Sequence, residues 1–141
     1  MGQAHVGCFM GGVDDNRELV RRAYELFANG DIEGMLALHR PDSVWRIPGI
    51  APWAGTYCGH DEIRRLIATL SANVEIVELR PREFLADGDK VAVLGHVRGR
   101  VRATGRSYSS EFSEILTVEA GQLIAFDEHI DTLAVAKALE P

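Results

Sequence analysis

The sequence is poor in cysteine, in basic charge and in long apolar runs, and each shortage excludes a class of protein. Its two cysteines, Cys8 and Cys58, are too few for a disulfide-held scaffold and are expected to be reduced thiols. A formal net charge of −6 argues against a general nucleic-acid binder, whose surface is usually basic. No run approaches the roughly 18 apolar residues of a membrane-spanning helix. We therefore expect a cytoplasmic protein with neither nucleic acid nor membrane as its partner.

Recognisable cofactor motifs are missing as well. The histidines at positions 5, 39, 60, 96 and 129 have no metal-ligand spacing such as HxxxH. The sequence has no GxGxxG, no Walker loop and no nucleophile elbow. The sequence therefore predicts neither a metal nor an organic cofactor.

The first half of the chain has the periodicity of helices. Residues 1–13 lack the basic region of a signal peptide and are predicted to be a disordered leader, followed by one domain over residues 14–141. Apolar spacing predicts a helix over residues 16–29, capped by Asp14, Asp15 or Asn16. A second helix begins at Asp31, carries His39 as a core histidine at the end of its apolar stripe, and stops at Pro41. A third helix opens at Asp61.

The second half has the period of two that is typical of strands. Strands are predicted over residues 74–85, 91–102, 107–118 and 123–131, with a final helix over 132–139. A short strand over 43–47 precedes the stretch "PGIAPWAGTYCG", which is predicted to be a structural loop. Helices first and strands last predict an α+β fold, a curved antiparallel sheet with helices on one face.

Two glutamates interrupt the apolar stripes of the last two strands. Alternation places Glu128 on one face with Phe126, and Glu114 on one face with Phe112. A buried carboxylate is costly unless it is paired, and without a partner its pKa rises toward the range useful for proton transfer near neutral pH. The alternative is a buried ion pair of either glutamate with Arg46.

The elements and several motifs together resemble the nuclear transport factor two-like superfamily, and within it the SnoaL-like group. The resemblance covers residues 16–139 and rests on "VWRIPG", "AGTYCGHDEI", "FLADGDKVAV", "TGRSY" and "VEAGQLIAFDEHIDT" in this order. It implies a cone-shaped half-barrel wrapped by three N-terminal helices, a deep apolar pocket and commonly a homodimer. Its members include polyketide cyclases, ketosteroid isomerases and non-catalytic binding modules, so the fold alone does not decide the function.

The resemblance also implies roles for single positions. Glu128 falls where limonene epoxide hydrolases carry an aspartate that helps to activate water. Their Arg-x-Asp motif falls on Gly95 and Val97, which cannot replace it, so epoxide hydrolysis of that type is not expected. The SnoaL-like cyclases use one acid near the end of this strand, where the chain has Glu128 and Asp131.

These observations lead us to expect an enzyme that performs isomerase, cyclase or lyase chemistry on a hydrophobic carbonyl compound. Glu128 and Glu114 are the candidate acid/base residues. Trp53 and Tyr57 either line the pocket mouth or cover the core edge, and both alternatives stay open. The full set of candidate substrate-binding residues is Arg46, Trp45, Trp53, Tyr57, Phe112 and Phe126.

The alternative function is a non-catalytic module that binds a small ligand or a protein through the same fold. Glutamates satisfied by arginine in a closed core would favour the module. An unpaired glutamate at the base of an open pocket would favour the enzyme.

The first testable prediction is a homodimer formed through the outer face of the sheet. Ile115, Leu123 and Ala125 are predicted to make that face too apolar for a monomer surface. Light scattering on the order of tens of micromolar protein checks the mass, and a monomer mass contradicts the prediction.

Overall fold

The computed structural model describes residues 12–141, so the predicted leader lies almost entirely outside the described residues. Val13, which the prediction assigned to the leader, already begins the first helix. No helix among the described residues is both long enough and apolar enough to cross a bilayer. The elements in chain order are α1 (Val13–Ala28), α2 (Ile32–Leu36), β1 (His39–Ile47), β2 (Gly55–Cys58), α3 (Gly59–Asn73), β3 (Val74–Asp87), β4 (Lys90–Val101), β5 (Ser107–Glu119), β6 (Gln122–Ile130) and α4 (Thr132–Leu139).

The helix boundaries confirm one predicted cap, correct another and correct one predicted helix end. Asp31 caps α2, because its Oδ1 accepts a hydrogen bond from the Gly34 amide at 2.9 Å. The predicted cap of α1 by Asp14, Asp15 or Asn16 is wrong, since Gly12 is the N-cap and makes no side-chain bond. The two aspartates lie in the first turn, where their charge suits the helix dipole. The stop at Pro41 is also wrong: α2 ends at Leu36, and His39 and Pro41 belong to β1.

The six strands form one curved sheet in the order β2-β1-β6-β5-β4-β3. The α+β prediction is confirmed, but the sheet is mixed rather than antiparallel throughout, because β1 runs parallel to β6. No short turn sets the direction of β1 relative to β6, because most of the chain lies between these two strands. By contrast, β3 to β6 are joined by short turns, which impose antiparallel pairing. Strand β2 lies within the predicted loop, and its four residues are too few for alternation to reveal.

Alternation on β4 shows which side of the sheet is buried. Val93, Val97, Gly95 and Gly99 are buried, whereas the intervening positions are partly or fully exposed. The inner face is covered by the helices: α1 packs on β3 and β4, α3 on β1 and β3, and α4 on β5. The hydrophobic core therefore lies between the helices and the concave face.

The register of β5 and β6 corrects one step of the dimer prediction. Thr117 pairs with Ala125 and Val118 pairs with Leu123, so the ladder contains an irregularity that skips one residue of β6. Leu123 is fully buried in the core and does not contribute to the outer face. Ile115 and Ala125 remain partly exposed, and the homodimer stays a prediction.

Two glycines of β4 make room for aromatic rings of β5. Gly95 pairs with Phe112 and Gly99 pairs with Tyr108 across the ladder. A Cβ atom on Gly99 would lie 2.6 Å from both Cζ and Oη of Tyr108, closer than real contacts allow. The Tyr108 ring therefore lies flat over a bare stretch of backbone, which holds it against the sheet.

The contact between Gly99 and Tyr108 predicts a strong energetic coupling. Gly99→Ala is expected to lower the free energy of unfolding by roughly 1–3 kcal/mol, since the new Cβ overlaps the ring. In a Tyr108→Ala background the same change costs little, because the ring is absent. Urea unfolding of the four proteins measures the coupling. An equal cost in both backgrounds contradicts the contact.

Candidate active site

A cavity of about 140 Å³ lies between the concave face of the sheet and the helices. Its wall is mostly apolar and aromatic, and the segment Pro48–Ala51 lines one end. Ile50 is 85% exposed, which puts the mouth of the cavity at this segment. The polar side chains in the wall are few: Tyr24, His39, Tyr108, Glu114, Glu128 and Thr132. A concave apolar site with a few convergent polar groups is typical of small-molecule binding sites.

Glu114 and Glu128 face each other across β5 and β6. They are direct partners in the antiparallel register and both line the cavity. Side chains in such directly opposed positions have Cβ atoms about 4.5–5.5 Å apart, so two like charges there repel. The alternation predicted from sequence therefore holds for both residues, and the pairing of the strands brings them together.

The two carboxyl groups differ in their partners. Glu114 is buried, and its Oε1 accepts a short hydrogen bond from the hydroxyl of Tyr24 on α1. Glu128 makes no hydrogen bond or ion pair with any residue of the described range 12–141. Arg46 does not reach either glutamate, because it donates to Oδ1 of Asp127 at 3.0 Å. The ion pair offered as the structural alternative is therefore wrong.

Burial raises the pKa of both glutamates, and the charge of Glu128 adds to the effect on Glu114. Desolvation raises the pKa of Glu128 to about 7. Desolvation, followed by the charge of Glu128, raises the pKa of Glu114 to about 8, against the opposing effect of the Tyr24 hydrogen bond. The pair consequently releases its protons in two steps near neutral pH, and the two steps belong to the pair as a whole. Near neutral pH one proton is shared between two facing carboxyl groups.

Two tyrosines in the wall remain protonated beside this pair. Burial, and then the charge of Glu114, raise the pKa of Tyr24 well above its ordinary value. Burial, and then the charge of Glu128, raise the pKa of Tyr108 to about 12. The Tyr108 hydroxyl makes no hydrogen bond within the described part of the chain, although the residue is buried in the wall. It is a hydrogen-bond donor available to a ligand.

The other candidate binding residues divide into two groups. Trp45, Trp53, Phe112 and Phe126 line the cavity. Arg46, predicted to bind substrate, and Tyr57, predicted either at the pocket mouth or over the core edge, do not line it. Arg46 is exposed on β1 and points to the face opposite Trp45. The Tyr57 hydroxyl donates a hydrogen bond to the Trp53 carbonyl at 2.8 Å.

Three polar wall residues were not among the sequence candidates. Tyr24 lies on the apolar face of a helix, and only the packing of α1 shows that it meets Glu114. His39 was assigned to a helix but begins β1. Tyr108 could have been predicted from the sequence, because it shares the buried face of β5 with Ser110 and Phe112.

The remaining ionisable candidates lie elsewhere. Asp131 caps α4, where its Oδ1 accepts from the Ala134 amide at 3.0 Å. His96 contacts Glu111 through Nδ1 at 2.8 Å and Ser109 through Nε2 at 3.0 Å, outside the cavity. Within residues 12–141, no group of three His, Cys, Asp or Glu side chains is arranged to hold a metal ion.

Comparisons with known proteins give a family match and close structural neighbours. The family model of the SnoaL-like domain matches residues 20–126. An NTF2-like protein from Burkholderia xenovorans LB400 is 36% identical, with a TM-score of 0.85 over 92% of this chain and 98% of that one. An NTF2-like protein from Burkholderia pseudomallei K96243 is 33% identical, with a TM-score of 0.82 over 89% and 98%. TerC, co-crystallized with polyporic acid, is 27% identical, with a TM-score of 0.77 over 89% and 98%. A search of the curated proteins finds no match.

The raised pKa values predict that stability falls with rising pH. In the unfolded chain both glutamates ionise near 4.5, whereas in the folded protein they keep their protons to about 7 and about 8. Their stabilising contribution is complete below the unfolded pKa and is lost as the pH rises through the folded values. From pH 7 to pH 9 the free energy of unfolding should fall by about 2 kcal/mol.

Urea unfolding across this pH range tests the expectation. The Glu114→Gln/Glu128→Gln double variant is the control, and its stability should change much less over the same interval. A double variant whose stability declines as steeply as that of the wild type would show that other groups cause the pH dependence.

Proposed function

The chain belongs to the SnoaL-like family, and from that premise we propose that it is a cofactor-independent acid/base enzyme acting on an apolar carbonyl compound. The family often performs isomerase or cyclase chemistry. The proposed reaction begins with removal of a proton from the carbon next to the carbonyl group. Glu128 is the proposed base.

The observation that carries this proposal is the unpaired carboxyl group of Glu128 in the cavity wall, opposite Glu114. A carboxylate held in an apolar cavity without a cation is costly for folding. Desolvation, however, gives it the pKa that a general base needs near neutral pH. This arrangement is typical of acid/base sites, in which the environments of two titratable groups separate their roles.

In the first step, the ionised carboxylate of Glu128 removes the proton from the α-carbon. The electron pair of the broken C–H bond moves into the bond to the carbonyl carbon, and the negative charge develops on the carbonyl oxygen. Hydrogen-bond donors aimed at that oxygen lower the barrier, because they stabilise a charge that appears only as the reaction proceeds.

The wall offers two donors for this oxygen. The Tyr108 hydroxyl is protonated at neutral pH, as an ordinary tyrosine is, and its pKa is raised further to about 12. It has no hydrogen-bond partner in the described part of the protein. The protonated carboxyl group of Glu114 is the second donor, and Tyr24 orients it through the hydrogen bond to Oε1. Between about pH 7 and pH 8 the pair holds one proton, and the proposed reaction uses the state in which Glu128 is ionised and Glu114 is protonated.

The second step returns the proton and completes the reaction in one of two ways. If Glu128 delivers the proton to a different carbon of the enolate, the product is an isomer with a shifted double bond. If the enolate carbon attacks a second carbonyl group of the same molecule, a new carbon–carbon bond closes a ring. In that case the proton goes to the resulting alkoxide, so neither route needs an oxidant or a cofactor.

The cavity limits the class of substrate. Stacked and tilted aromatic rings, such as Trp45 and Phe126 with centroids 4.4 Å apart, favour a flat, largely apolar molecule. The co-crystal of TerC with polyporic acid supports a small organic ligand in this fold. We propose an aromatic or polycyclic ketone as the substrate class.

The proposal predicts that the protein catalyses hydrogen–deuterium exchange at the α-carbon of 2-tetralone, a bicyclic aromatic ketone. In deuterated buffer, proton NMR follows the loss of the α-proton signal. The rate should rise with pH around pH 7, as Glu128 ionises. Glu128→Gln should lower it by roughly 100-fold, because an amide cannot accept the proton.

Asp127→Asn is the matched control, since Asp127 is the neighbouring carboxylate of the same strand but pairs with Arg46. It should leave the exchange rate unchanged. Equal exchange by Glu128→Gln and the wild type would exclude Glu128 as the base. Binding of 2-tetralone without exchange above the buffer rate would favour a non-catalytic ligand-binding module.

A further inference from the structure

His39 and Ser43 form a buried polar pair that the proposed reaction does not use. His39 is 2% exposed and Ser43 is fully buried. The Nδ1 atom of His39 lies 2.9 Å from the Ser43 hydroxyl oxygen, and the imidazole lines the cavity. The other ring nitrogen, Nε2, makes no hydrogen bond with any residue in the range 12–141.

The surroundings of Ser43 decide which nitrogen carries the proton. The Ser43 hydroxyl has one hydrogen to donate, and the only acceptor within hydrogen-bond distance among the described residues is His39 Nδ1. The opposite tautomer would make Nδ1 the donor and leave a fully buried hydroxyl hydrogen without an acceptor, which is unfavourable because a buried donor loses its bond to water. The favourable tautomer therefore has its proton on Nε2.

We propose that His39 Nε2–H is a ligand-binding donor that holds an acceptor oxygen of the substrate, at a subsite separate from the two glutamates. Ser43 is its positioning residue, because it sets the tautomer. The subsite takes an uncharged oxygen such as a ketone or quinone carbonyl. A hydrocarbon of the same shape would leave the donor unpaired.

Two further observations support the subsite. The Nε1 atom of Trp45 is buried without a hydrogen-bond partner in the described chain, and the Trp45 and His39 rings have centroids 5.5 Å apart. This end of the cavity therefore has more N–H donors than acceptors. Burial, and then the charge of His60, lower the pKa of His39 to about 4, so the imidazole donates as a neutral group at physiological pH.

The sheet register gives the distance over which a ligand must extend. His39 pairs with Leu123 on β6, and Glu128 lies five positions further along the same strand. At roughly 3.3 Å per residue the two levels are about 17 Å apart along the strand. If Glu128 acts as proposed, the substrate is therefore an elongated aromatic molecule with oxygen groups near both ends, an inference that rests on the proposed function.

Nitrogen-15 NMR of the histidine rings tests the tautomer in the intact protein without any ligand. At pH 7 His39 should give the pattern of a neutral ring protonated at Nε2. In Ser43→Ala this preference should weaken, because Nδ1 has lost its donor. A wild-type ring protonated at Nδ1 would overturn the proposal.

A pair of probes tests the subsite. The first is 2,6-diacetylnaphthalene, which has a carbonyl group at each end, and the second is 2-acetyl-6-isopropenylnaphthalene, in which one carbonyl is replaced by an apolar group of similar shape. The wild type should bind the diketone roughly 3- to 10-fold more tightly, as expected for one neutral hydrogen bond. His39→Leu should abolish this difference, whereas His39→Gln, which keeps an N–H donor, should retain part of it.

These outcomes separate the subsite from a structural role of His39 and from the proposed reaction. If His39 only packs, His39→Leu weakens both probes equally, and the proposal is wrong. If Glu128 is not a base, Glu128→Gln exchanges 2-tetralone normally, while the probe preference and the tautomer stay as predicted. A failure of the reaction and a failure of the subsite are therefore distinguishable.

Discussion

The repulsion between two carboxyl groups that face each other in an apolar cavity is the constraint on which the site depends. Antiparallel pairing of β5 with β6 puts Glu114 directly opposite Glu128, in the wall of the cavity between the sheet and the helices. Neither group can ionise as easily as an exposed carboxylate, and they cannot readily ionise together. The fold tolerates a cost in stability here because one proton is thereby kept available near neutral pH.

The arrangement of the basic residues preserves this constraint. The ion pairs of the described chain lie at its surface, where Arg46 is held by Asp127, and Arg64 by Glu33 and Asp61. Strand alternation separates the two kinds of carboxylate, since Asp127 and Glu128 are neighbours that point to opposite faces. Several surface carboxylates pair with arginines, whereas Glu114 has only the Tyr24 hydroxyl as its side-chain partner among the described residues. A hydrogen bond from a neutral tyrosine orients Glu114 without removing its proton.

The cavity exists because small and large side chains alternate across the strands. Gly95 and Gly99 on β4 accept the rings of Phe112 and Tyr108, which would otherwise be displaced from the sheet. The rings lie close to the backbone, so the space in front of them stays open to a ligand. Burial of Tyr108, and then the charge of Glu128, raise the pKa of its hydroxyl to about 12. The position of the Tyr108 ring against Gly99 thus accounts both for its packing on the sheet and for the raised pKa of its hydroxyl.

The sequence by itself determined the elements and the faces, because strand periodicity is a local property. It placed Glu114 and Glu128 on apolar stripes, which the structure buries, and it indicated the family. Only the tertiary structure decided which residues from distant segments meet, since such contacts leave no local pattern.

The parallel pairing of β1 with β6 brought His39 and Trp45 into the cavity wall. The packing of α1 on the sheet brought Tyr24 to Glu114, and the irregularity in β6 turned Leu123 inward, against simple alternation. Arg46 lies outside the cavity because it follows Trp45 on β1 and therefore points to the opposite face. The sequence could not show that Asp127 is its nearer partner.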